Sequence, residues 1–149
     1  QECESLDFFR GKLFFLLTWS ALKVNHSFRR KQTGGTISGP ADVKKLSLTE
    51  MTALCGEIRT ALIEKLSRNG GHCGPNFGFV EATVALHYVF DSPKDKMVFD
   101  VSHQTYPHKM LTGRAEAFLD PAHYDDVSGY SNPHESEHDH FTIGHTSTS

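Results

Sequence analysis

Apolar residues recur at three- and four-residue spacing along residues 48–68, which places them on one face of a helix. Ser47 and Glu50 precede and open this stretch as a capping box, in which each side chain satisfies an amide group of the first turn. Gly70 is expected to end the helix, because glycine tolerates the left-handed backbone of a C-cap. The apolar positions are Leu48, Met51, Leu54, Ile58, Leu62 and Leu66.

Shorter elements follow this helix along the chain. Their order, helices alternating with short apolar runs, predicts an α/β fold in which helices surround an incomplete parallel sheet. One or two strands are too few for a complete sheet. The expected elements are a glycine-rich loop at His72–Gly78, a helix at Phe79–Phe90, a strand at Lys96–Val101, a short helix at Tyr106–Leu111 closed by Gly113, a long surface loop over residues 119–140 and a brief strand at Phe141–Ile143.

Residues 1–36 differ from the rest of the chain and are interpreted as a separate N-terminal extension, with one domain over residues 37–149. The apolar run at residues 13–19 is too short to span a bilayer, which takes about 20 residues. Positive charge before this run is typical of a signal peptide, whereas the acidic residues before it and the initial Gln1 are not. A lineage-specific extension and translation from upstream of the true start remain open.

Net charge and cysteine content narrow the function classes. With a net charge of −3, neither nucleic acid nor an acidic membrane is expected as a partner. Three cysteines without regular spacing give no disulfide framework, which favours a reducing, cytoplasmic setting. Cys73 is read as a passive side chain and not as a nucleophile. Seven of the ten histidines lie between His103 and His145, which predicts pH sensitivity in this half of the chain.

Three polar turns are candidates for binding an anion. His103 follows the expected strand at Lys96–Val101, at the strand end where ligands of open α/β sheets lie. The turn at Gly144–Ser147 offers close backbone approach, hydroxyl groups and amides that suit a phosphate. His72 stands in a glycine-rich turn. Each signal has a structural alternative, a local cap or an ordinary turn, and each is weak by itself.

A second histidine group alternates with acidic residues and has the composition of a metal site. Its spacing does not match that of a zinc site, so adventitious binding is the expectation and no metal ligand is assigned. The group comprises His134, Glu135, Glu137, His138, Asp139 and His140.

Several stretches match one enzyme family in chain order. They are Pro40-Ala41-Asp42, the helix at Leu46–Arg68, Gly70-Gly71-His72, Val80–Phe90, Asp100–Lys109, Leu111–Arg114, Ser136-Glu137 and Gly144–Ser149. On these matches residues 38–149 resemble the N-terminal part of the 1-deoxy-D-xylulose-5-phosphate synthases, thiamine-diphosphate enzymes related to transketolase. The run from Asp100 to Lys109 speaks against the transketolase branch itself.

The resemblance implies a reaction and a compartment. Family members join pyruvate to glyceraldehyde 3-phosphate with loss of CO₂, and the product feeds isoprenoid, thiamine and pyridoxal synthesis. The implied fold is a partial thiamine-diphosphate-binding domain of transketolase type. A homodimer is expected for full-length members, in the cytoplasm or, in a plant or alga, in the plastid, with no membrane partner.

The resemblance also assigns site residues. His72 matches an active-site histidine near the reacting substrate, and His103 matches a histidine that contacts thiamine diphosphate. Gly144, His145 and Thr146 match a turn lining the same cofactor. The family's Mg²⁺ ligands and its activating glutamate lie beyond the end of this chain, so we expect the chain alone to be inactive.

One departure from the family pattern concerns the turn before His103. Ser102 stands where the family usually has glycine, which carries a cost if its φ is positive. A second function class also remains open at this point, a non-catalytic module derived from the same domain that binds a metal or a partner.

Overall fold

The structure is a computed structural model that describes residues 37–142. These residues form one long and five shorter α-helices, together with one π-helical and one 3₁₀ segment. The elements are α1 (Pro40–Val43), α2 (Leu48–Asn69), α3 (Cys73–Gly78), α4 (Val80–Val89), α5 (Tyr106–Lys109), the π-helical segment Met110–Arg114, α6 (Glu116–Leu119) and the 3₁₀ segment Pro121–His123.

The long helix α2 begins and ends as the sequence predicts. The Ser47 hydroxyl accepts a hydrogen bond from the amide of Glu50, and the Glu50 carboxylate accepts one from the amide of Ser47 at 2.7 Å. Gly70 follows the last helical residue with a φ of +70°. The capping box and the glycine stop are therefore confirmed, and they set where the next turn starts.

The apolar face of α2 is the centre of the core. Ile58 and Leu62 on this face are fully buried, as is Phe118 of α6, which packs against it. Burying one such side chain contributes about 1.5–3 kcal/mol. Helix α4 packs on α2 as well and buries Val80 and Val84. This helical layer is the platform on which the polar turns are held.

The prediction of a strand at Lys96–Val101 is wrong within the part of the chain that the structure describes. Residues 96–99 lie in neither a helix nor a strand, and no strand occurs anywhere between residues 37 and 142. Phe141 and Thr142, expected to open a second strand, likewise lie in neither a helix nor a strand, and Ile143 of that prediction lies outside the described residues. A strand exists only when a neighbouring segment supplies its hydrogen bonds. The expected sheet is therefore not seen within residues 37–142.

Two expected loops are also more ordered than predicted. Most of the glycine-rich segment at His72–Gly78 is helix α3. Residues 119–140 were expected at the surface, yet Tyr124, Ser131 and Asp139 are buried. Buried polar groups bind this segment to the core, so its polar composition alone did not predict its burial.

Lys65 shows how the core binds the segment after α6. Its ammonium donates hydrogen bonds to the carbonyl oxygens of Ala117 and Tyr124, at 2.8 and 2.7 Å. The same group lies 4.3 Å from the centre of the Phe118 ring. Burial lowers the pKa of Lys65 to about 8, with a further contribution from the charge of Lys109. One buried cation thus holds α6 and the segment that follows it against α2.

Between residues 37 and 142, none of the helices has the length and apolar content to cross a bilayer.

Candidate functional site

His72 and His103, both predicted site residues, lie together. His72 precedes α3 and His103 lies in the turn before α5. Their ring centres are 5.6 Å apart, with the planes nearly perpendicular at 84°. Two histidines separated by thirty positions in sequence are therefore brought next to each other by the fold.

Asn76 joins the two histidine turns, and sequence reasoning missed it. Its amide nitrogen donates to the carbonyl oxygens of His72 and His103, at 2.6 and 2.8 Å. Its amide oxygen accepts from the backbone N–H of Tyr106 at 2.9 Å. The side chain is fully buried. No sequence signal marked Asn76 as the link between the two histidine turns.

Two tyrosines and a glycine enclose the His72 ring. The Tyr130 ring lies edge-on to it at 5.0 Å, and the Tyr106 ring lies at 6.2 Å, both between centres. A side chain at Gly129 would come within 3.4 Å of His72 Cε1 and of the Tyr106 hydroxyl. The loop backbone at Gly129 therefore lies one side-chain contact away from His72 and Tyr106. The rings of Tyr106 and Tyr130 form an aromatic wall that restricts the rotation of the His72 side chain.

Gly71 allows the turn that carries His72. Its φ is +127°, which is open to glycine and costly for other residues. A Cβ atom there would lie 2.8 Å from Leu66 Cδ2 and 2.9 Å from the Tyr106 hydroxyl. Both the backbone conformation and the space thus exclude a larger residue. Burial raises the pKa of Tyr106, which keeps its hydroxyl protonated at neutral pH.

The turn before His103 is strained. Val101 and Ser102 both have a φ of +59°, a left-handed conformation that is a genuine outlier for a β-branched residue. The Thr105 hydroxyl donates to the Ser102 carbonyl oxygen at 2.8 Å. Ser102 stands where the family usually has glycine, and because its φ is positive, the serine raises the conformational energy of this turn.

Gln104 orients the imidazole of His103. The Gln104 amide nitrogen donates to the carbonyl oxygen of Asp100 at 3.0 Å, so its amide oxygen points the other way. That oxygen lies 3.1 Å from His103 Nδ1 and accepts the Nδ1 hydrogen. Gln104 therefore fixes the orientation of the His103 ring.

A buried polar network lies beside the site. His87 Nε2 is 2.9 Å from His108 Nδ1, and His108 Nε2 is 3.2 Å from Asp139 Oδ1. Arg114 binds Asp139 through both terminal nitrogens, at 2.8 and 2.9 Å. Burial opposes ionisation of Asp139, but hydrogen bonds from Arg114 and His108 outweigh it and hold its pKa below the usual range. Burial lowers the pKa of His87 to about 3, so this histidine is neutral.

Glu135 is held in a similar way. Its carboxylate contacts the buried ammonium of Lys109 at 2.5 Å. The Lys109 ammonium also donates to the Ser128 carbonyl oxygen at 2.9 Å, and Glu135 accepts from the Ser128 amide at 2.8 Å. Burial would raise the pKa of Glu135, yet the Lys109 and Ser128 hydrogen bonds lower it overall. This ion pair fixes one end of the loop that carries Gly129.

The same contacts argue against a metal-binding module built from residues 134–140. Glu135 and Asp139 are engaged by Lys109 and Arg114, and the ring of His138 lies 2.8 Å from the Ser92 hydroxyl. Three other side chains in the described region have ligand atoms within 4.8 Å of one another, an exposed or half-buried group that the sequence did not indicate. They are Glu116, Asp120 and His123.

The remaining predicted site residues, Gly144, His145 and Thr146, lie outside the described residues. Their role in lining the cofactor site stays a prediction.

Comparison with known proteins agrees with the resemblance seen in the sequence. A family model described as 1-deoxy-D-xylulose-5-phosphate synthase matches residues 35–149. The synthase of Dictyoglomus turgidum is 53% identical over 113 residues, and that of Chlamydia pneumoniae is 55% identical over 113 residues. The synthase of Brevibacillus brevis is 54% identical over 114 residues. These matches cover 75–76% of this chain but only 18% of each relative.

Proposed function

Because the chain belongs to the 1-deoxy-D-xylulose-5-phosphate synthase family, we propose that it forms part of an enzyme condensing pyruvate with glyceraldehyde 3-phosphate. The reaction releases CO₂ and leads toward isoprenoid precursors and thiamine. The single observation that supports a site in this chain is the meeting of His72 and His103 at 5.6 Å. The backbone carbonyl oxygens of both histidines accept hydrogen bonds from one buried side chain, the amide of Asn76.

The donor set fits a diphosphate ligand. His103, oriented through Nδ1, is proposed to contact a phosphate oxygen through Nε2, and a hydrogen bond to a charged phosphate is among the stronger ones in proteins. Bound thiamine diphosphate supplies the electron sink for decarboxylation of pyruvate. We assign contact with the diphosphate to His103, Gly144, His145 and Thr146.

His72 is assigned to the reacting substrate. Its ring is enclosed by Tyr106 and Tyr130, so its position is defined before a ligand arrives. A preoriented imidazole can transfer or stabilise a proton on a substrate oxygen. The wall of aromatic side chains also excludes water from one side of the ring. These are the properties expected of an acid–base group in a carbon–carbon bond-forming site.

The chain spans 18% of the length of the relatives it matches, so further parts of the machinery are proposed to come from outside these residues. Magnesium and its ligands belong to that remainder. We therefore propose that the 149-residue chain alone does not turn over substrate. The complete enzyme is proposed to be a cytoplasmic homodimer.

Replacing each histidine in the complete polypeptide tests the assignment. His72→Ala should reduce kcat/KM by about 10²-fold or more, as loss of an acid–base group does. His103→Ala should raise the concentration of thiamine diphosphate needed for half-maximal activity by roughly tenfold or more, as loss of a charged hydrogen bond does. His134→Ala is the matched control, because that histidine is exposed and is not one of the proposed site residues. Wild-type activity in both site variants would remove the proposal.

A further inference from the structure

We propose that Ser102 is a positioning residue, whose hydroxyl holds the loop containing Gly129 and Tyr130 against His72. This inference deepens the proposed function and rests on it, because the site that Ser102 orders is the proposed cofactor site. It assigns a role to the one residue of the His103 turn that departs from the family pattern.

The conformation of Ser102 carries a cost that calls for a compensating interaction. Its φ of +59° lies in the region that glycine occupies freely and serine does not. Its side chain is completely buried, so its hydroxyl cannot be satisfied by bulk water. A buried hydroxyl on a strained backbone is retained at lower cost when it makes a hydrogen bond.

Ser131 supplies that hydrogen bond. The backbone N–H of Ser131 donates to Ser102 Oγ at 3.1 Å, and both residues are buried. Without the hydroxyl, a buried amide would lose this acceptor, which native proteins seldom tolerate. The contact therefore connects the turn before His103 directly to the loop over His72.

The loop is anchored at both ends of the residues that touch His72. Ser128 is held by Lys109 and Glu135 on one side. Ser131 is held by Ser102 on the other. Gly129 and Tyr130 lie between these two anchors and pack on the imidazole ring. Removing the second anchor loosens the loop at Ser131 without breaking the Lys109–Glu135 ion pair. Two neighbouring hydrogen bonds stay in place, from the Ser128 hydroxyl to the Tyr130 carbonyl oxygen at 2.9 Å and from the Asn132 amide to Asp139 at 2.8 Å.

The test uses NMR of the 149-residue chain without ligand. Ser102→Ala removes the hydroxyl and retains the strained Cβ, whereas Ser102→Gly removes the hydroxyl and also relieves the strain. Val84→Ala is the control, because Val84 is a buried core residue in α4 and makes no contact named in the site. The readouts are hydrogen exchange of the Ser131 amide and the nuclear Overhauser contact between Gly129 Hα and His72 Hε1.

Both Ser102 variants are expected to speed Ser131 exchange by at least about tenfold, equivalent to about 1.4 kcal/mol. Both should weaken the Gly129–His72 contact, while the glycine variant is the more stable of the two. The control should retain the contact even where it lowers global stability. An unchanged contact in both Ser102 variants overturns the proposal, as does equal loss in the control. Because no ligand is present, either failure is separate from failure of the proposed synthase activity.

Discussion

Asn76→Ala is the most informative perturbation of the site, because one buried amide makes three hydrogen bonds between its two turns. Alanine leaves the carbonyl oxygens of His72 and His103 without their amide donor and the Tyr106 N–H without its acceptor. Each buried polar group left unsatisfied costs about 1–3 kcal/mol. We therefore expect a loss of about 3–5 kcal/mol, a large share of the 5–15 kcal/mol typical of a domain.

Urea unfolding followed by circular dichroism measures this loss in the 149-residue chain. Asn69→Ala is the matched control, because Asn69 is exposed at the end of α2 and should change the free energy of unfolding by no more than about 0.5 kcal/mol. If Asn76→Ala lowers the free energy of unfolding by less than about 1 kcal/mol, the amide does not link the two histidine turns.

Asn76→Asp separates the hydrogen bonds from the shape of the side chain. The carboxylate still accepts from Tyr106 but faces two carbonyl oxygens, so its ionised form is disfavoured and its folded-state pKa rises. A raised pKa means that the folded state binds the proton more tightly. The free energy of unfolding of this variant should therefore increase as pH falls through the folded-state pKa. A pH-independent loss would contradict the geometry around Asn76.

Three further substitutions test the surroundings of the site by denaturant unfolding. Hydrogen bonds from Arg114 depress the folded-state pKa of Asp139. The stability that the Asp139 carboxylate contributes is therefore present above about pH 4 and is lost at lower pH. Asp139→Asn should be less stable than the wild type at pH 7 and should lack that acid dependence. Gly71→Ala should cost roughly 2–4 kcal/mol from a disallowed φ and overlap with Leu66, and a neutral result would contradict the positive φ. The pKa of Lys65 is lowered to about 8, so wild-type stability should rise from about pH 8 toward the unfolded value near 10. Lys65→Met should abolish that rise, and persistence of the rise would assign it to another group.

Helix α2 shows which part of the fold could be predicted from the sequence. Its period, its capping box and its glycine stop are local signals, and each was confirmed within a residue or two. Helix α4 was predicted for the same reason, from residues that are close together in the chain.

The segment at Lys96–Val101 shows why the sheet could not be judged in the same way. An apolar, β-branched run indicates that a segment can pair, but the pairing depends on a neighbour elsewhere in the protein. Family membership is consistent with an α/β thiamine-diphosphate-binding domain, whereas residues 37–142 by themselves are helix and loop.

Site residues that lie in sequence motifs could be predicted, whereas those that depend on contacts between distant segments could not. His72 and His103 could be named from the motifs around them, and they do lie together. Asn76, Tyr130 and Ser131 could not, because their roles depend on contacts between segments far apart in sequence. Glu135 and Asp139 belong to the group expected to bind metal only adventitiously, and the sequence did not show that buried cations neutralise them.

A crystal structure of the complete polypeptide with thiamine diphosphate tests the central claim most directly. We predict a His103 nitrogen within about 3 Å of a phosphate oxygen and the His72 ring facing the same ligand. If both imidazoles point away from the bound coenzyme, the assignment of this chain's site is contradicted.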